Sequence, residues 1–232
     1  MIHHDGSSVA NRAYEYIRSR VLRGHYPTGQ RLVTRQIAQE LGASLNPIRE
    51  AIGRLAAEGL IDHVPGAGAF VRAPSPDELL ELYEFRQALE PFAARRAAQL
   101  ITEPELAVLY GICEEQHQTA LALRASGDYL QGDDLQDWFA TEERFHETLI
   151  RAARNRHFDR TIGHSRVLTQ LFQGHRSLGV RVDEPLAART WQSHRQLVQA
   201  LEARDGESAA TCMHDALAQG ARTALDAAAR KQ

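Results

Sequence analysis

Residues 8–23, SVANRAYEYIRSRVLR, place apolar side chains at Val9, Ala13, Ile17, Val21 and Leu22. That spacing predicts an amphipathic helix, which Gly24 ends. A turn over HYPTGQRL leads to a short helix over residues 35–41, with Thr34 as its N-cap and Gly42 free to take the left-handed conformation after the last turn. Three residues later a third helix is predicted, with Asn46 as N-cap and Pro47 at the first helical position, where a missing N–H costs nothing. Its buried stripe is Ile48, Ala51, Ile52 and Leu55, and Arg49, Gly53 and Arg54 fall outside that stripe. LIDHVPGAGAFV reads as two short strands around a Gly-Ala-Gly turn. Three helices and a β-hairpin in this order predict a winged helix-turn-helix.

The pattern changes at RAPSPDE, residues 72–78, where two prolines precede a capping box of Ser75 and Glu78. Beyond it no strand-like alternation persists. Helical runs are predicted near 76–100, 102–126, 133–155, 156–177, 184–204 and 206–229, which implies an antiparallel bundle of about six helices. The predicted fold is mainly α: a winged head over 1–73, a linker over 74–78 and an all-helical body over 79–232.

Composition sharpens this division. The net charge of −3 is unremarkable for the whole chain, but up to Arg72 nine Arg stand against six Asp and Glu, leaving 18 basic and 24 acidic residues beyond. A mildly basic head on an acidic body suits a phosphate-contacting module joined to something else. No apolar run spans a bilayer and the N-terminus lacks a signal-peptide pattern, so a cytoplasmic protein with no membrane partner is expected. Cys113 and Cys212 match no metal-knuckle spacing and read as small core residues.

The second helix of a helix-turn-helix presents its N-terminal turn to base edges in the major groove. Arg49 lies in that turn, and an arginine can pair bidentately with guanine. Arg35 opens the preceding helix, placed to reach the DNA backbone or a base.

PTGQRL, RQIAQELGAS, NPIREAIGRLAAEGLI and VPGAGAFV, in this order, resemble the DNA-binding domain of the GntR family of bacterial transcription regulators. The resemblance covers residues 10–72. It implies operator contacts by Arg35, Ser44, Asn46, Arg49 and the wing at Gly66 to Gly68. Leu45 stands where the family commonly has an arginine, and Ala67 where it often has a basic or polar residue. An apolar Leu45 suits a thymine methyl, so a half-site departing from the family's usual one is expected there.

ELYEFRQALEPFAARRAAQL, TEERFHETLIRAARN and SHRQLVQALEARDGESAATCM resemble the all-helical FCD domain of FadR-like GntR regulators, over about 78–220. In that domain a carboxylate and three histidines often hold a divalent metal beside an organic-acid effector. The matching positions are Glu142 and His146, four residues apart on one helix face, and His194. The last ligand falls on Ala216, and His214, two residues earlier, should point away. One carboxylate and two histidines remain, a set that either holds Zn²⁺ or a similar divalent ion or binds the effector directly. Arg86 and Glu90 match the family's arginine and glutamate; Arg86 either meets an effector carboxylate or pairs with Glu90. His164 and Gln170 are further candidates for the pocket.

Glu114 with His117 and Glu143 with His146 each satisfy Glu-x-x-His, a signature of di-iron helical-bundle oxidoreductases, which is the alternative function. No Ser-His-Asp or Cys-His arrangement, P-loop or dinucleotide fingerprint stands out, so a non-enzyme is expected. The expected protein is a homodimeric regulator of operator DNA that answers to a small carboxylate-containing effector.

Overall fold

The computed structural model describes residues 8–73, 75–174 and 181–229. Among these, residues 8–73 and 170–174 form one compact unit, and 75–169 with 181–229 form another.

The first unit is built on α1 (Val9–Leu22), α2 (Thr34–Glu40) and α3 (Leu45–Ala57). Ser8 caps α1 by accepting from the Asn11 N–H, and Ala10, Ala13, Ile17 and Val21 are buried. Val9, expected in that stripe, is exposed, and Ala10 takes its place. α1 packs on α3, whose buried Ile48, Ala51, Ile52 and Leu55 are the stripe read from the sequence. The helix is 13 residues long, so its stability comes from this packed face rather than from propensity alone.

Three boundaries differ from expectation. Thr34 is the first residue of α2 and Val33 its N-cap, with no side-chain bond. α3 begins at Leu45 with Ser44 in the N-cap position, so Asn46 is not the cap and Leu45 lies in the helix rather than the turn before it. Pro47 is thereby the third helical residue. The first four N–H groups of a helix lack intrahelical acceptors, so proline fits there as well as at the first position. The segment expected as a linker over 74–78 is helical from Pro76.

The wing is β2 (Ile61–Val64) and β3 (Gly68–Val71), paired antiparallel with Ile61 opposite Val71 and Val64 opposite Gly68. Within HYPTGQRL, read as a turn, Arg31–Leu32 forms β1 and adds a third strand on the other edge of β3. Gly66 and Gly68 both have positive φ, 75° and 117°. At Gly68 it is the backbone that asks for glycine, since the exposed Arg31 side chain that a Cβ would meet at 3.2 Å can move aside.

The second unit is α4 (Pro76–Leu100), α5 (Glu103–Ser126), α6 (Gly132–Ala152), α7 (Arg156–Gly174), α8 (Glu184–Glu202) and α9 (Gly206–Ala229). These follow the six predicted runs to within three residues at each boundary, except that the expected end of the fourth run at 177 lies outside the described residues. Caps are written into the sequence: Ser75 accepts from Glu78 N, Thr102 and Glu105 close a full capping box, and Asp183 accepts from Leu186 N. α4 packs on α9 and α5 on α8, with α6 against α4 and α5. The core between them includes Ala93, Ala97, Leu109, Phe145, Leu149, Leu197, Leu201 and Met213. Small alanines let α4 sit close to its neighbours while Phe145 and the leucines fill the middle.

Candidate functional site

In the first unit α3 turns one face inward and leaves Ser44, Asn46 and Arg49 exposed, with Leu45 half-buried between them. Arg35 of α2 is exposed too. Neither Arg35 nor Arg49 has a hydrogen bond or ion pair among the described residues. Arg54, on the same helix, is occupied: its guanidinium donates to Asn11 Oδ1 at 2.6 Å and lies 4.1 Å over the Tyr14 ring. Two arginines of α3 thus separate into one that ties α1 to α3 and one with every donor available to an outside acceptor. Gly66 and Ala67 are exposed at the wing tip, with the exposed Arg31 side chain reaching Gly68, where β3 leaves the turn. Arg31 went unread because the two-residue β1 carries no alternation of its own.

In the second unit α6 places Glu142 and His146 on one face, and α8 brings His194 to them. One ligand atom from each lies within 4.8 Å of the others, and they are the one such group of His, Cys, Asp or Glu among the described residues. Both histidines are buried, 6% and 3% exposed, whereas His214 is exposed beside Asp215 and Ala216 is half-buried.

The surrounding side chains orient this group. Gln116 of α5, fully buried, donates through its Nε2 to Glu142 Oε1 and accepts at Oε1 from His194 Nδ1, 3.0 Å away. The His194 ring stacks on Phe145 with centroids 3.7 Å apart. Glu90 Oε2 lies 3.5 Å from His146 Nδ1. Of the two alternatives for Arg86, the ion pair is formed: its Nε donates to Glu90 Oε1 at 2.6 Å, and both side chains are buried. Arg166 of α7 is buried as well, donating from one terminal nitrogen to Glu143 Oε2 at 3.1 Å.

Burial sets the charge states. It pushes the Glu142 carboxyl up to about 7, outweighing the nearby guanidinium groups of Arg166 and Arg86. It lowers His146 to about 4, with Arg166 adding to the effect, and holds His194 well below its ordinary value. Burial alone would raise Glu90, but Arg86, His146 and Arg166 around it hold its carboxyl well below the usual range. Near pH 7 both imidazoles are therefore neutral, the form that coordinates a metal or accepts a hydrogen bond.

These residues fit a divalent ion. The His194 ring turns Nδ1 to the Gln116 amide oxygen, leaving Nε2 a lone pair, and outer partners of this kind fix the tautomer of metal-binding histidines. Gln116 and Arg166 were missed in the sequence. Their signal was a polar residue on a buried helical stripe, Gln116 between Cys113 and Ala120, Arg166 one turn after Ile162. His164, by contrast, is exposed, and the side chain of Gln170 lies outside the described residues.

The paired Glu-x-x-His sites do not assemble. Glu114 is exposed and His117 stacks on Trp191 at 4.0 Å, while Glu143 binds Arg166. A cleft of about 610 Å³ between α5 and α6 is lined by Glu115, Asp128, Asp134 and Asp137, with Gln116 and Trp138.

Residues 9–71 match the model of the bacterial regulatory proteins, gntR family, and residues 81–219 match the FCD domain. The chain belongs to the GntR family. It is a transcription regulator with an FCD domain; the first matched segment lies in the first unit and the second, apart from residues 170–174, in the second. This member is 36% identical, over 152 residues (64% of this chain and 85% of the relative), to an uncharacterized HTH-type transcriptional regulator in the TAR-I ttuE-ttuC' intergenic region of Agrobacterium vitis. It is 33% identical, over 138 residues (60% of each chain), to the Nta operon transcriptional regulator of Aminobacter aminovorans. The solved structure of E. coli McbR/YncC shares the fold, with a TM-score of 0.79 at 20% identity, covering 94% of this chain and 98% of that one. No helix among the described residues is long and apolar enough to cross a membrane.

Proposed function

We propose that this GntR regulator works as a homodimer that reads a palindromic operator, and that a small organic acid bound among the helices of the FCD domain changes its affinity for DNA. In the head Arg49 reads a base, and Ser44, Leu45 and Asn46 flank it in the groove. Arg35 and the wing at Gly66 and Gly68 hold the backbone. Two heads related by two-fold symmetry suit two half-sites about one helical turn, ~34 Å, apart.

In the body Glu142, His146 and His194 hold a divalent ion such as Zn²⁺, and Arg86 belongs to the wall of the same site. Bound there, the ion would supply Lewis-acid charge for an effector carboxylate, with open positions where the family's last histidine is replaced by Ala216. This function rests on one juxtaposition: two buried histidines and a half-buried acid from α6 and α8, oriented by Gln116, in a chain whose head leaves Arg49 unpaired. For regulation, the effector must bind one arrangement of the dimer more tightly than another.

The test is titration of small organic acids into a complex of the zinc-loaded protein with an operator found by in vitro selection. A change in operator affinity of about fivefold or more is expected, in line with a coupling of ~1 kcal/mol. An acid that binds the body and leaves operator affinity unchanged excludes the switch. Failure to select any DNA sequence excludes the operator reading itself.

A further inference from the structure

Arg166 has more donors than the chain satisfies. It is 6% exposed, and its single hydrogen bond, to Glu143, uses one terminal nitrogen. Nε and the other terminal nitrogen are buried without a hydrogen-bond partner among the described residues. That second terminal nitrogen stands 3.7 Å from Glu90 Oε2, beyond a hydrogen bond, and Glu90 already receives Arg86 on its other oxygen. A buried donor left unmade costs ~1–3 kcal/mol, so two on one guanidinium are a feature to be accounted for.

The surroundings keep this guanidinium at the centre. Ile162, Ser165 and Thr169 bury its face of α7, and Glu90 Oε2, next to it, is also 3.5 Å from His146 Nδ1. Arg166 therefore borders the group formed by Glu142, His146 and His194. Arg86, whose Nε donates to Glu90, has no nitrogen among the buried donors left without a partner in the described residues. The acidic cleft between α5 and α6 does not offer such a donor either, because four carboxylates line it and would repel an anion.

We propose that Arg166 is the residue that binds the carboxylate of the effector, donating from Nε and its free terminal nitrogen, while Arg86 has a structural role. Guanidinium donors carry full charge and no acceptor capacity, so a buried pair of them selects an anion over a neutral amide. Formal charge agrees with this when the site holds its metal. Arg86, Arg166 and a divalent ion together exceed Glu90, Glu142 and Glu143 by one, and one carboxylate closes the balance.

This proposal rests on the effector site described above, and the experiment separates the two. Zinc-loaded protein is titrated calorimetrically with acetate, malonate and citrate and with the neutral analogues acetamide and malonamide. At least one carboxylate is expected to bind and its amide is not. Arg166→Gln should weaken that carboxylate tenfold or more while zinc binding persists, and Arg166→Lys should retain part of the affinity. Glu143→Gln removes the charge of Arg166's one hydrogen-bonded partner while keeping an acceptor oxygen, and serves as the structural control: carboxylate affinity should be kept. Equal binding of the carboxylate to the parent and to Arg166→Gln overturns the role of Arg166 and leaves the effector site standing. Binding of acid and amide alike also overturns it. Absence of binding by every carboxylate to the zinc-loaded parent removes both the role of Arg166 and the carboxylate site in the body.

Discussion

Nδ1 of His194 lies 3.0 Å from the amide oxygen of Gln116. An amide oxygen only accepts, so the proton of the neutral imidazole sits on Nδ1 and the lone pair on Nε2. The same glutamine donates to Glu142, so one side chain of α5 orients two candidate ligands on α6 and α8. Gln116→Leu should weaken zinc binding by ~10–100-fold, the usual cost of losing such an orienting partner. It should also destabilise the fold by ~1–3 kcal/mol, because it leaves the buried His194 N–H unmade. Zinc titration and urea unfolding check the two effects.

Arg49 and Arg54 should separate cleanly. Arg49→Ala removes an exposed, unpaired side chain and should change stability by no more than ~0.5 kcal/mol. It should nonetheless lose ~1–3 kcal/mol of discrimination at one base pair. Arg54→Ala breaks the bond to Asn11 and the contact over Tyr14, and should cost ~1 kcal/mol of stability. Fluorescence anisotropy against single-base operator variants, alongside thermal unfolding, distinguishes them.

Leu45 is half-buried at the first position of α3, between two exposed polar residues. In vitro selection with the parent should return a half-site that departs from the family's usual one at the base pair Leu45 faces, with thymine favoured. Selection with Leu45→Arg should move preference toward the usual site. Recovery of the usual site with the parent protein would sink this assignment.

Glu105 caps α5 at Thr102 and also accepts from both terminal nitrogens of Arg154, at 2.7 and 2.8 Å. The Arg154 hydrogen bonds, with those of Thr102, hold its carboxyl at about 2. The folded value is below the unfolded one, so the stabilisation is complete above ~4.3, the ordinary glutamate value. It falls away as pH drops from there toward 2. The pair is partly exposed, so its share at neutral pH is ~1 kcal/mol or less. Arg154→Ala should remove it and flatten that part of the acid-unfolding profile. Arg154 also has a φ of 51°, so Arg154→Gly should cost less than Arg154→Ala by relieving the left-handed backbone. Denaturant unfolding at pH 7 and pH 3.5 on the three proteins checks both statements.

Local periodicity was enough for the nine helices among the described residues, because each amphipathic stripe and cap acts within a few residues of chain: Ser75, Thr102 and Asp183 begin helices by bonding residues three ahead. The i,i+4 pair Glu142 and His146 was legible for the same reason. Where the local code permitted several answers, tertiary structure chose. Pro47 fits any place in a helix's first turn, and packing of α3 on α1 accompanies the start at Leu45. β1 exists through its bonds to β3, forty residues on, and no two-residue pattern announces it. For Arg86 the folded chain shows the ion pair with Glu90, which the i,i+4 spacing had allowed. Gln116 and Arg166 were readable as polar residues on buried faces and no further. The atoms they meet come from other helices, and only the folded chain decides which donors there are satisfied and which are left for a ligand.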